Sequence, residues 1–328
     1  MNSRYILGID TSNYKTSVAV IDSDYNIIYD SRRYLDVKKG ERGLRQSEAL
    51  FQHVNSLPKL IEKIPIDLAG NLDAVAWSSR PRPVDGSYMP VFNAGVSFGR
   101  SIAAVNGIQG IGFSHQEGHI EAIRMDADFP DDEPFLACHF SGGTTELLIV
   151  QPRQRDVVLN SGIFYKIQVA GGTRDIAFGQ VIDRAGVAMG IGFPAGEVMD
   201  KLALNATFTT DYLTPIKTRS AFMNLSGIDT QIKRIIEEGS VTNEPEAFVS
   251  EIFTKLTDSM EKAISQAIEM SGINRVIMAG GVTSSRFIRN KIENSNKLRG
   301  ADIQFGREEL SQDNAVGIAV LGGRYVWD

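Results

Sequence analysis

Residues 5–22 read YILGIDTSNYKTSVAVID, and residues 134–152 read PFLACHFSGGTTELLIVQP. Each stretch is an apolar strand, a turn of small polar residues, and a second apolar strand. The pattern occurs twice in one chain, which reads as an internal duplication: two similar domains, each opened by a β-hairpin. Residue-by-residue identity between the two stretches is low, so the architecture carries this inference.

Outward from the hairpins, strands alternate with helices. Ser47 to Ile64 has helical spacing, LDAVAWSS (72–79) reads as a strand, FNAGVSFGRSIAAVN (92–106) as a helix and GIQGIGFS (107–114) as a strand. SHQEGHIEAIRM (114–125) returns to helical spacing. In the second half, TRDIAFGQVIDRAGVAMG (173–190) reads as a helix, and a further helix begins within GFPAGEVMDKLALN (192–205). Residues 245–272 form a long amphipathic helix ending at Gly272. INRVIMAGGVTSS (273–285) is a strand running through a glycine turn into a helix, and SQDNAVGIAVLGGRYV (311–326) is a closing helix. This alternation predicts an α/β layered fold. The acidic, proline-bounded DADFPDDEP (126–134) marks the boundary. The expected domains are 1–130 and 131–310, with 311–328 packing back on the first.

The chain has 328 residues, enough for two domains. Hydrophobic residues make up 42% and charged residues 23%, an ordinary globular balance. The formal charge of −6 argues against a dedicated nucleic-acid binder. Cys138 is the single cysteine, so no internal disulfide can form, and a reducing compartment is expected. The N-terminus breaks at Gly8 and does not read as a signal peptide, and no apolar run is long enough to span a membrane. A cytoplasmic protein is expected.

Three turns and one helix carry the chemistry. SGGTT (141–145) joins two strands, and its glycines let backbone N–H groups approach an anion. AGGVTSS (279–285) leads from a strand into a helix N-terminus, where free N–H groups and the dipole favour phosphate. With DTS (10–12), these turns point to nucleotide phosphates, although neither glycine turn fits the Walker loop or the dinucleotide fingerprint. In H-Q-E-G-H (115–119) the glutamate stands one place later than in the H-E-x-x-H zinc proteases, so it falls on a different helix face. That argues against a protease. His115 and His119, four apart, share a face and can share a metal. Asp313, just before the closing helix, is the candidate third ligand. His139, mid-strand, and His53, on the first helix, read as structural. The basic run SRRYLDVKKGERGLR (31–45) reads as a solvated loop that could meet nucleic-acid phosphates, extended by Arg80 and Arg82.

In order, G-I-D-T-S, S-H-x-E-G-H, S-G-G-x-T, D-x-A-x-G-x-x-x-D, A-G-G-V and D-N-A resemble the TsaD family over nearly the whole chain. The family was formerly called the O-sialoglycoprotein endopeptidases. The resemblance implies the actin/Hsp70/sugar-kinase (ASKHA) superfamily fold, with two ribonuclease-H-like domains and a nucleotide in the interdomain cleft. It also implies transfer of a threonylcarbamoyl group from threonylcarbamoyl-AMP to N6 of a tRNA adenosine, or carbamoyl transfer more generally. By motif, His115, His119 and Asp313 resemble the metal ligands, for iron or zinc. His139, Phe140, Ser141, Gly142, Gly143 and Thr144 resemble the substrate-binding strand and turn. Asp183 and Gly196 resemble the residues holding the ribose and base, and Gly280, Gly281 and Ser285 lie in the second glycine turn. An adenine nucleotide (ATP or threonylcarbamoyl-AMP, with magnesium) and partners of the TsaB or TsaE type, or a second copy of the chain, are implied.

The departures set this chain apart. The family's E-T-S-C-D-E-T becomes DTSNYKT, so Tyr14 and Lys15 replace an acidic pair. The G-P-G-L loop becomes SRPRPVDGSYMP (79–90), Ser285 replaces an asparagine, Gln180 replaces an acid and Arg184 replaces a lysine. Asp10 and Lys15 are the candidate catalytic residues at the first turn. Lys15 would attract a negatively charged group rather than take a proton from an amine. A divergent paralogue serving another acceptor is expected; a non-catalytic nucleotide-binding partner subunit is the alternative, although such partners lack the paired histidines.

Overall fold

The computed structural model describes residues 4–12, 15–37, 44–240 and 244–328. Tyr14, Lys38, Lys39 and Arg42 lie outside them. In chain order, β1 (Tyr5–Thr11), β2 (Lys15–Asp22) and β3 (Ile27–Tyr34) are followed by α1 (Gln46–Ile61) and the short α2 (Ile66–Ala69). Then come β4 (Leu72–Arg80), α3 (Phe92–Asn106), β5 (Gln109–Ser114) and α4 (His115–Arg124). The second hairpin gives β6 (Phe135–Phe140) and β7 (Thr145–Pro152), then α5 (Arg155–Ser161), β8 (Tyr165–Thr173), α6 (Phe178–Ala188) and α7 (Gly196–Asn205). The remainder is β9 (Thr218–Arg219), β10 (Phe222–Met223), α8 (Ser226–Glu237), α9 (Pro245–Ser271), β11 (Arg275–Ala279), α10 (Arg286–Glu293), β12 (Asp302–Phe305) and α11 (Val316–Val326).

The first sheet has the order β3-β2-β1-β4-β5. β1 pairs antiparallel with β2 and β2 with β3, while β4 and β5 run parallel to β1. The second sheet has the order β12-β11-β6-β7-β8-β10-β9. There β6 pairs antiparallel with β7, and β11 and β12 run parallel to β6. Strand for strand, β8-β7-β6-β11-β12 repeats β3-β2-β1-β4-β5. The duplication of the hairpins is thus a duplication of whole sheets.

Two compact units result: 1–132 with 151–166 and 309–328, and 133–150 with 167–308. The segment 151–166, which the sequence division gave to the second domain, clusters with the first. Its attachment is chemical: the N–H groups of Phe164 and Tyr165 donate to buried Glu117 Oε1 at 2.8 and 3.3 Å. Other boundaries shift. Residues 173–177, read as helix, are strand end and loop, and α6 begins at Phe178. Ser31–Tyr34, read as basic loop, belong to β3. Arg32 there is already engaged, by Asp30 and by the Glu309 carbonyl at 2.6 Å. The rest of β3 and β8, and the whole of α8 and β12, carry no expectation from the sequence.

α11 packs against β1, β4 and α4 in the first unit. Its approach to α4 requires glycine: a Cβ on Gly317 would stand 1.8 Å from the Gly118 carbonyl oxygen. Gly118 sits inside H-Q-E-G-H, so this contact fixes the histidine helix against the segment bearing Asp313. Gly317→Ala is expected to cost at least about 2 kcal/mol and lower Tm by roughly 4–8 °C, checked by calorimetry. Among the described residues, no helix is long and apolar enough to cross a membrane.

Candidate functional site

The first unit gathers its polar groups at the end of β1 and the start of α4. Ser114 caps α4: its side chain accepts from the Glu117 N–H, while Glu117 Oε2 accepts from the Ser114 N–H at 3.1 Å and hydroxyl at 2.6 Å. Burial pushes the Glu117 carboxyl up, against these hydrogen bonds. Its oxygens are thus spent on the helix cap and on the 164–165 backbone. That is a structural role, so Glu117 does not stand as the base of a zinc-protease site.

The cap starts the helix at His115, and one turn later His119 falls on the same face. The two Nε2 atoms are 3.0 Å apart, with His119 Nε2 2.9 Å and His115 Nε2 3.6 Å from Asp313 Oδ1. One ligand atom from each of the three lies within 4.8 Å of the others. Behind them, Asp10 Oδ1 contacts His115 Nδ1 at 2.8 Å, and the Ser12 hydroxyl donates to Asp313 Oδ2 at 2.8 Å. Burial opposes a charged His115, but Asp10 and Asp313 outweigh it and push the ring up to about 10. Burial would likewise raise Asp313, and the two imidazoles hold it well below the usual carboxylate range.

This arrangement fits a divalent cation. Two imidazole nitrogens and one carboxylate oxygen converge, and a carboxylate behind His115 fixes its tautomer so that Nε2 faces the site. Asp10 was expected to be catalytic, yet it is fully buried and touches the imidazole. Its position is that of a positioning residue, with Oδ2 left without a partner. Ser12 was legible only as part of DTS, and Gln312, which accepts from Lys15, carried no expectation. His53 is structural: Nδ1 meets Thr16 Oγ1 at 2.8 Å and Nε2 meets the Ser12 carbonyl at 2.7 Å, holding the ends of the first hairpin.

The second unit gathers the glycine turns. Gly142, Gly179, Asp183, Gly196, Gly281 and Ser285 line one cavity of about 670 Å³. Ser141 folds its own turn, accepting from the N–H groups of Gly143 and Thr144 at 3.3 and 3.0 Å. Gly280, with φ 101°, lets the second turn approach β6, where a Cβ would meet the Phe140 carbonyl oxygen at 2.2 Å. Phe140 is buried, edge-on to Phe178 at 5.4 Å between centroids. His139 stands mid-strand, opposite Glu146 on one side and Ala279 on the other. The Ala195 N–H donates to Asp183 Oδ1 at 2.8 Å, seating the loop before Gly196. At the start of α10 the structure departs from expectation. Asp200 already accepts from the N–H groups of Arg286 and Phe287, both at 3.1 Å, and from the Ser285 hydroxyl. That helix end therefore carries a carboxylate of its own, and Ser285 is turned to it.

The family model for TsaD, tRNA N6-adenosine threonylcarbamoyltransferase, matches residues 34–320. The chain belongs to the TsaD family. A tRNA N6-adenosine threonylcarbamoyltransferase of Thermodesulfovibrio yellowstonii is 30% identical over 331 residues, covering 97% of this chain and 93% of the relative. The chain is accordingly a transferase-type enzyme and not a protease. Among solved structures, T. kodakarensis HypF aligns with TM-score 0.54 at 13% identity, over 99% of this chain and 48% of that one. Component A of the Acidaminococcus fermentans (R)-2-hydroxyglutaryl-CoA dehydratase aligns with TM-score 0.51 at 13% identity, over 98% of both chains. These likenesses concern the fold alone: two repeated sheets of the kind expected for an actin/Hsp70/sugar-kinase-like fold, with which the repeated strand order agrees.

Proposed function

We propose that this TsaD-family chain is a metal-dependent threonylcarbamoyl- or carbamoyl-type transferase that draws on an adenylate-activated donor. The observation that carries the reading is the convergence of His115, His119 and Asp313, with Asp10 and Ser12 locking two of the three in place. Iron or zinc held there would supply Lewis acidity to a carbonyl or phosphate oxygen. The chain's own residues do the rest: Asp10 holds the His115 ring so that Nε2 faces the ligand, and Ser12 orients the Asp313 carboxylate. In the second unit, the 141–144 turn and Gly281 offer backbone to the adenylate, and Asp183, next to Gly196, suits ribose hydroxyls. The paired histidines weigh against a non-catalytic partner subunit. The altered first turn favours an acceptor other than the usual tRNA adenosine, in a divergent paralogue. Cytoplasmic location, magnesium with the nucleotide, and partners of the TsaB or TsaE type or a second copy of this chain complete the reading.

The nucleotide half is tested apart from the metal half. Asp183→Asn keeps an oxygen for the Ala195 N–H, whereas Asp183→Ala removes it. By calorimetry with ATP or AMP, both variants are expected to bind at least ~10-fold more weakly, with Tm lowered only in the alanine variant. Equal nucleotide affinity in all three proteins would remove Asp183 from the site.

A further inference from the structure

Lys15 opens β2 and is 5% exposed. Its ammonium donates to Gln312 Oε1 at 2.5 Å and lies 4.5 Å from the centroid of the Tyr34 ring. The Tyr34 hydroxyl donates to the same Gln312 oxygen at 3.0 Å. Among the described residues no carboxylate pairs with this lysine. A buried charge is costly unless paired, and a neutral amide and a ring face compensate it only in part. An ammonium carries three donors, and the Gln312 bond uses one of them.

A second cation stands at the same edge. Arg80 ends β4, in register with Ser114 of β5, the residue before His115. Its Nη2 is buried with no hydrogen-bond partner, and among the described residues it forms no ion pair. β2 and β4 flank β1, so Lys15 and Arg80 lie on either side of the segment Asp10–Ser12. The carboxylates at this edge, Asp10 and Asp313, are already committed to His115 and His119. With a divalent cation balancing those two carboxylates, both cations remain unneutralised. Gln312, which holds Lys15, immediately precedes Asp313.

We propose that Lys15 and Arg80 form an oxyanion-binding pair that holds the carboxylate or phosphate of a substrate beside the His115–His119–Asp313 cluster. The pair deepens the transferase reading, on which it rests for the identity of the neighbouring group. Lys15 supplies a point charge and Arg80 a planar fork of donors, together suited to a group with two or three oxygens. Carboxylate and phosphate share that chemistry, and the two ligands in the test separate them.

The test uses the full chain, both zinc-loaded and stripped with EDTA. Each form is titrated with inorganic phosphate and with acetate against potassium chloride at matched ionic strength. Wild type is expected to gain roughly 5 °C in Tm at a 100-fold excess of the recognised anion over its Kd. Lys15→Met keeps the stem and removes the charge; anion affinity by calorimetry should fall at least ~10-fold, with the anion-free Tm unchanged or raised. Arg80→Gln should weaken the same anion by a similar factor, and Lys15→Arg should retain it. A response to phosphate alone assigns the site to phosphate, and to acetate alone, to carboxylate. Wild-type affinity for both anions in Lys15→Met and Arg80→Gln, or no binding by wild type, overturns the pair. Lys15-dependent binding in a protein that retains no metal would sink the metal reading and leave the pair standing. Intact metal content without anion binding would do the reverse.

Discussion

Purified protein carrying His115→Ala together with His119→Ala should fall from about one equivalent of iron or zinc to below ~0.1 equivalent. The double variant deletes two of the three donor atoms, leaving Asp313 Oδ1 alone. A single carboxylate does not hold a transition metal against buffer and water, and Ser12 still hydrogen-bonds it. Asp10→Asn probes the layer behind. It keeps the bulk of the side chain but weakens the partner of His115 Nδ1, so the metal dissociation constant should rise ~10–100-fold. Glu117→Gln is the contrast. Its oxygens face the helix cap and the 164–165 backbone, so it should lose stability while retaining metal. Elemental analysis of the three variants checks all of this at once. Unchanged metal content in the double histidine variant would sink the assignment, and loss of metal in Glu117→Gln alone would relocate the site.

The two opening hairpins were legible because strand identity in a buried hairpin depends on consecutive apolar residues, and both are strongly apolar on either side of a short turn. The helix bearing the histidines was legible from its helical spacing, whereas the Ser114–Glu117 capping box that starts it, although a local signal, carried no expectation. Asp313 could be named because it precedes a helix in a matched motif. Asp10 was visible as a residue, yet its role was not, because the 2.8 Å contact with His115 joins positions far apart in the chain. For the same reason nothing in the sequence foretold that Asp200 would occupy the N–H groups at the start of α10, or that Lys15 would be buried against Gln312. β3 escaped notice because Arg32 and Arg33 break its apolar run; an edge strand needs only one buried face, and charged residues there are ordinary. The attachment of 151–166 to the first unit rests on tertiary contacts with no local signature: the buried Glu117 carboxylate, Arg155 donating to the Arg324 and Tyr325 carbonyls, and Phe164 edge-on to Phe113.

In a strain depleted of its own TsaD and supplied with the usual partner proteins, this chain should restore less than about one-tenth of the threonylcarbamoyladenosine in tRNA. A tenfold loss corresponds to only ~1.4 kcal/mol of transition-state stabilisation. A carboxylate beside the metal can accept a proton from an attacking amine or orient a second cation. An ammonium at neutral pH can do neither, because it has no lone pair to offer and repels the cation. In this chain Lys15 is also fixed: it is buried, hydrogen-bonded to Gln312 and stacked on Tyr34, so it cannot swing aside to let a neighbouring carboxylate take over. Asp10, the acid nearest in sequence among the described residues, is committed to His115 and reaches the site only through the imidazole. Tyr14 lies outside the described residues, so the argument rests on Lys15. Mass spectrometry of nucleosides from total tRNA reads the outcome directly. Lys15→Glu, in the same background, should recover part of the modified nucleoside if charge at this position is what blocks the reaction. Full rescue by the unaltered chain would show that a buried ammonium at the first turn is compatible with the ordinary reaction and that the acceptor has not changed.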